Sequence, residues 1–164
     1  QFGSLIVEEY IDGREFNISL FGYPEARIMP IAEIDFSEFS SDLYRIVGYK
    51  AKWDEKSFEY HHTRRKFSSN LSGRVLEELH KVAFDCYTYF MLRDYARVDM
   101  RVDPSGKVYV LEINANPCIS PDAGFSAALA EAGITYTKMV QSFMSFLIQR
   151  SSYGNQTVCL SRKK

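Results

Sequence analysis

The stretch from Tyr95 to Pro117 constrains the fold of this chain more than any other. It reads Tyr-Ala-Arg-Val-Asp-Met-Arg-Val, then Asp-Pro-Ser-Gly, then Lys-Val-Tyr-Val-Leu-Glu-Ile-Asn-Ala-Asn-Pro. Two alternating, β-branched runs flank a Pro/Gly turn, which predicts a β-hairpin turning at Asp103-Pro104-Ser105-Gly106. Side chains alternate across a strand, so Arg97, Asp99 and Arg101 share one face of the first strand. Val108, Val110, Glu112 and Asn114 share a face of the second. With Val102 opposite Lys107, Arg97 lies across from Glu112 and Asp99 is its diagonal neighbour, about 7–8 Å away. One face then carries Arg97, Asp99, Glu112 and Asn114, while Val98, Met100, Leu111 and Ile113 fill the other.

Oxygen donors from Asp, Glu and Asn on one sheet face suit a hard cation. Mg²⁺ takes few protein ligands and completes its shell with water and phosphate oxygens. Arg97 beside them can hold phosphate or developing negative charge through its planar fork. A solvated face with an Arg–carboxylate pair satisfies the same pattern. The strand end favours a site, because Asn114-Ala115-Asn116-Pro117 stops a strand and turns it. Loops at strand ends commonly carry function.

Ala96-Arg97-Val98-Asp99 followed by Leu111-Glu112-Ile113-Asn114-Ala115-Asn116-Pro117 resembles the metal-binding end of the ATP-grasp superfamily, in its D-alanine:D-alanine ligase-like branch. Two further stretches resemble the same branch in the same order: Val7-Glu8-Glu9-Tyr10-Ile11-Asp12-Gly13-Arg14-Glu15-Phe16 and Tyr49-Lys50-Ala51-Lys52-Trp53. The resemblance covers most of residues 5–150. It implies an α+β fold, the C-terminal half of an ATP-grasp domain over residues 1–150, with a mainly antiparallel sheet covered by helices and a polar tail at 151–164. It also implies an ATP-dependent carboxylate–amine ligase acting through an acyl phosphate. The alternative is a non-catalytic binding or subunit-interaction module of the same fold.

The resemblance assigns roles residue by residue. Asp99, Glu112 and Asn114 would hold Mg²⁺ or Mn²⁺, and Arg97 would act on the transferred phosphoryl group. Glu8, Tyr10 and Ile11 would border the adenine region, Glu15 would hold the ribose, Lys52 the phosphates of ATP, and Leu111 would also contact the nucleotide. The loop of Cys118, Ser120, Asp122 and Ala123 would face the acceptor substrate. The branch typically has Gly where Cys118 stands and Ser where Ala123 stands, so D-alanine itself is not implied. The partners implied are small carboxylate and amine substrates, and a homodimer is compatible with the branch. Relatives carry an N-terminal region and a glycine-rich lid ahead of this point. Here Gly3, Gly13 and Gly22 are isolated, so the chain reads as a fragment that is inactive alone.

Composition narrows the alternatives. A chain of 164 residues suits one domain and can bury a sizeable core. The net charge of −1 gives no footprint for nucleic acid or a membrane surface. Three cysteines, Cys86, Cys118 and Cys159, make no disulfide framework and fit a reducing, cytoplasmic setting.

Along the chain, Ser4–Tyr10 reads as a strand, Asp12-Gly13 as a turn, Glu15–Phe21 as the return strand and Ile28–Asp35 as a third. Phe36–Val47 reads as a loop. Tyr49–Trp53 reads as a short strand with Lys50 and Lys52 on one face. Asp54–Ser69, with His61, His62 and Arg64-Arg65-Lys66, reads as an irregular solvated loop. Ser72 caps a helix to Arg93 whose stripe is Val75, Leu79, Val82, Cys86 and Phe90. Asp122 caps a helix through Ala132 that Gly133 ends. Thr135 caps a last helix with Tyr136, Val140, Phe143 and Leu147 inward.

Overall fold

The computed structural model describes residues 3–67 and 70–161, with side chains through residue 151. Its strands are β1 (Arg14–Gly22), β2 (Arg27–Ile28), β3 (Ala32–Asp35), β4 (Arg64–Lys66), β5 (Asp94–Val102) and β6 (Val108–Asn114). Its helices are α1 (Tyr49–Trp53), α2 (Phe58–His62), α3 (Gly73–Tyr89), α4 (Gly124–Glu131) and α5 (Tyr136–Ser161). The strands form one antiparallel sheet in the order β4-β3-β1-β5-β6, with β2 pairing β1. The architecture is α+β.

β1 and β5 make the long central ladder, from Arg14 opposite Val102 to Gly22 opposite Asp94. Alternation sorts their side chains. Phe16, Ile18, Val98 and Met100 are fully buried on one face, under Leu79, Ala83 and Cys86 of α3. The helix starts as its sequence dictates, with Ser72 Oγ accepting from the Val75 amide at 3.4 Å. It stops at Tyr89 rather than Arg93, because Met91 takes φ +50° and leaves Phe90 exposed.

At one end of the opposite face, Phe21, Phe125, Leu129, Met139 and Phe146 form a second core with α4 and α5. The two helices therefore wall that face without covering its middle, and that opening becomes the cleft. Ala123 rather than Asp122 is the N-cap of α4. Thr135 does cap α5, accepting from the Lys138 amide at 3.2 Å. The inward stripe of α5 is Met139, Phe143 and Phe146; Tyr136, Val140 and Leu147 are exposed. Helical backbone continues to Ser161, through most of the stretch read as a polar tail. Arg162, Lys163 and Lys164 lie outside the described residues.

Several local expectations are corrected. Ser4–Tyr10 is not a strand: Leu5, Ile6 and Val7 are exposed and pair with no strand among the described residues. The third strand is split into β2 and β3 around Met29-Pro30-Ile31, since proline cannot donate to a ladder. Tyr49–Trp53 is a helical turn, not a strand, so Lys50 and Lys52 do not share a face. Lys50 instead lies 3.8 Å from Glu59. Residues 54–67 are not irregular but contain α2 and β4.

Candidate active site

The hairpin forms at the expected turn, where Asp103 Oδ1 accepts from the amides of Ser105 at 2.8 Å and Lys107 at 3.0 Å. Its register differs from the expectation. Val102 faces Val108, not Lys107, and a bulge between Asp99 and Met100 shifts the ladder by a further residue. Leu111 is the extra residue. Beyond the bulge Asp99 sits directly opposite Glu112, and Arg97 opposite Asn114 rather than Glu112.

A bulge re-aims side chains without ending a strand. Here it turns Val108 and Ile113 into the core with Val98 and Met100, and brings Leu111 and Glu112 onto the other face. Strict alternation would have put Val110 with Glu112 and Leu111 in the core. Instead Val110 pairs with Met100, and Leu111 borders a cleft.

That cleft has a volume of about 910 Å³. Arg97, Asn17, Asp99, Glu112, Ile34, Glu15 and Arg101, drawn from three neighbouring cross-strand rows of the sheet, line its floor. One row is Ser19, Arg97 and Asn114; the next is Asn17, Asp99 and Glu112; the third is Ile34, Glu15, Arg101 and Tyr109. Of the residues proposed from sequence, Tyr10, Ile11, Glu15, Lys52, Arg97, Asp99, Leu111 and Glu112 line the cleft together. Glu9 lines it in place of Glu8. Asn114, Cys118, Ser120, Asp122 and Ala123 lie beside it without forming its wall.

Asp99 is buried and held from two sides. Arg97 donates from Nε to Oδ1 and from Nη2 to Oδ2, both at 2.8 Å, and Asn17 Nδ2 donates to Oδ1 at 2.9 Å. Burial works against the Arg97 charge, but the bonds to Asp99 and the nearby Glu112 carboxylate outweigh it and hold the guanidinium firmly protonated. Asn114 Oδ1 accepts from the Asn116 amide at 3.1 Å, the local turn that ends β6.

Sequence reasoning missed Arg101. Only 2% exposed, it donates from Nη2 and Nε to Glu15 Oε2 at 3.0 and 3.4 Å and from Nη1 to the Ile11 carbonyl at 2.6 Å. Its guanidinium also lies over the rings of Tyr10 and Phe36. Burial raises the Glu15 carboxyl above its ordinary range, and Arg101 opposes that shift. Alternation with Arg97 and Asp99 was the available signal for Arg101.

The loop after β6 is exposed at Cys118, whose Sγ lies 3.2 Å from Ser120 Oγ. That contact lowers the Cys118 thiol below its usual value.

Residues 3–145 match the family described as the D-ala D-ala ligase C-terminus. The chain belongs to this family. Among similar proteins, the uncharacterized protein y4sG of Sinorhizobium fredii (strain NBRC 101917 / NGR234) is 29% identical over 92% of this chain and 42% of its own length. A D-alanine–D-alanine ligase of Acetivibrio thermocellus is 26% identical over 89% of this chain and 36% of its own. The D-alanine–D-alanine ligase from Bacillus anthracis complexed with ATP superposes with a TM-score of 0.64 at 25% identity, over 88% of this chain and 40% of that one. The ligase from Coxiella burnetii shares the fold, with a TM-score of 0.69 at 20% identity over 93% of this chain and 37% of that one. The chain thus spans about two fifths of the length of the relatives it matches. Among the described residues, no helix is long and apolar enough to cross a membrane.

Proposed function

We propose that this chain is the nucleotide- and metal-holding part of an ATP-dependent carboxylate–amine ligase. ATP would phosphorylate a substrate carboxylate to an acyl phosphate, and an amine would displace phosphate to leave an amide or peptide bond. The supporting observation is the direct pairing of Asp99 with Glu112 beside Arg97, in a cleft of a ligase-family chain.

The donor set fits a hard cation. Asp99 accepts three hydrogen bonds, and an ionised carboxylate offers about four lone-pair sites, so Oδ2 keeps one. The Glu112 carboxylate is exposed and accepts no hydrogen bond among the described residues. Asn114 Oδ1 also retains acceptor capacity. Asp99, Glu112 and Asn114 would hold Mg²⁺ or Mn²⁺, which when bound neutralises phosphate charge and aligns the transfer.

The chain's own residues do the rest. Arg97 binds Asp99 through Nε and Nη2 and keeps Nη1 to offer an oxyanion. Lys52 brings an ammonium to the cleft. Glu15 Oε1 is left for ribose hydroxyls, because Arg101 engages Oε2. Tyr10, Ile11 and Leu111 supply apolar wall for the base. The other side of the phosphate cradle would come from an N-terminal region of the same enzyme.

Magnesium-dependent ADP release by the complete protein tests this. Asp99→Asn and Glu112→Gln should each lower turnover by roughly 10²–10³-fold, the scale of losing one electrostatic contact to the transition state. Near-normal turnover in both variants would overturn the proposal.

A further inference from the structure

Arg64-Arg65-Lys66 folds as β4, the edge strand on β3. Its three cations meet different fates. Lys66 approaches Asp35 at 3.4 Å and Glu33 at 3.9 Å. Glu33 is also gripped by both Nε and Nη2 of Arg14, so the carboxylates of β3 are already engaged. Arg65 lies opposite Ile34, which lies opposite Glu15, and that register places it on the cleft face.

Arg64 and Arg65 both line the cleft. Among the described residues their side-chain hydrogen bonds go only to main-chain carbonyls: Arg65 Nη2 to Asp122 at 2.9 Å and Arg64 Nε to His61 at 3.3 Å. Among the described residues neither is within ion-pair distance of a carboxylate; Asp122 feels the Arg65 charge from further off. A guanidinium has five N–H donors, so most of each fork remains free.

The contact with Asp122 fixes where this pair sits. Arg65 also lies against Gly124, where an added Cβ would come 3.0 Å from its Nη1. Arg65 is therefore at the loop of Cys118–Ala123, the stretch proposed to face the acceptor substrate. That loop carries Cys118 and Ala123 where the ligase branch has Gly and Ser, so its substrate contacts differ from those of a D-alanine site. The triphosphate has other cations, Lys52 and Arg97, and the Asp99–Glu112 pair lies on β5 and β6, at the far side of the sheet from β4.

We propose that Arg64 and Arg65 form an anion subsite that binds a second carboxylate on one of the two substrates, so that the ligase joins at least one acidic building block. Guanidinium forks match carboxylates in a bidentate way that a lysine does not. The proposal rests on the reading of the cleft as a ligase site. Both arginines are exposed, so solvent screens the gain and the discrimination expected is modest, roughly tenfold.

The test uses the complete protein and calorimetry with glutarate and glutaramate, which differ only in one carboxylate against one carboxamide, each with and without MgATP. Glutarate should bind roughly tenfold tighter. Arg64→Gln/Arg65→Gln should abolish that preference while MgATP affinity and melting temperature hold. The single variants Arg64→Gln and Arg65→Gln carry the same test if the double variant does not fold. Equal binding of the two probes, or a preference that survives the substitutions, overturns the proposal. So does a matching loss of MgATP affinity, which would give the arginines to the triphosphate. A glutarate preference in a protein that binds no MgATP would sink the nucleotide reading and leave the anion subsite standing.

Discussion

Arg101 and Glu15 form an ion pair inside the sheet, with Nη2 to Oε2 at 3.0 Å and both side chains withdrawn from water. The same guanidinium holds the Ile11 carbonyl, so one residue fixes a carboxylate and the backbone leading into β1. Removing one partner of a buried pair leaves an uncompensated charge and typically costs about 3–5 kcal/mol. Arg101→Met should therefore destabilise the protein on that scale in urea unfolding. Arg101→Met/Glu15→Gln should recover much of the loss, because no buried charge is left alone. Additive losses in the double variant would show that the two residues do not act as a pair.

Glu15 also sets a pH dependence. Burial places its native pKa above the ordinary value of 4.5. Between those two values the native state binds the proton more readily than the unfolded chain does. The group's stabilising contribution is thus full below 4.5 and is lost as pH rises through the raised value. The unfolding free energy of wild type minus that of Glu15→Gln should fall with rising pH across this window. A difference that climbs instead would mean the native carboxyl is held below its ordinary range.

Gly13 is a backbone requirement. It takes φ +146°, and a Cβ there would meet the Val102 carbonyl oxygen at 2.1 Å. The obstacle is main chain of the central ladder, which cannot swing aside. Gly13→Ala should cost about 1–3 kcal/mol or more. Unchanged thermal unfolding would show that the turn has an unstrained alternative.

Cys118 and Cys86 should separate in reactivity. The Ser120 hydroxyl and amide favour the Cys118 thiolate, while burial pushes the Cys86 thiol up. Iodoacetamide should label Cys118 with an apparent pKa below 9.0 and spare Cys86 in the folded protein. Ser120→Ala should move the Cys118 midpoint upward. Equal labelling of both cysteines would contradict the burial of Cys86.

The limits of reading the sequence are visible in particular residues. Alternation in β5 gave Arg97, Asp99 and Arg101 one face, since nothing interrupts that strand. The same rule misplaced Leu111, because a bulge adds a residue without leaving a mark in composition. Tyr49–Trp53 is too short for periodicity to choose between strand and helix, and the chain winds it as a turn of helix. The stripe of α5 was misassigned because its apolar residues encircle the helix, and packing on Phe21 and Phe125 chose which face went in.

By itself the sequence determined the hairpin, its turn, the caps at Ser72 and Thr135, and the concentration of Asp99, Glu112 and Arg97 on one ribbon. These are local consequences of side-chain alternation and of backbone groups that need partners. Tertiary structure decided what those residues face. Only the order β4-β3-β1-β5-β6 brings Arg65, Glu15 and Arg101 into one cross-strand neighbourhood. Only the seating of α4 and α5 at one end leaves the middle of that face open as a cleft. Contacts between residues dozens of positions apart depend on how whole elements share a core, and no short window of sequence encodes that choice.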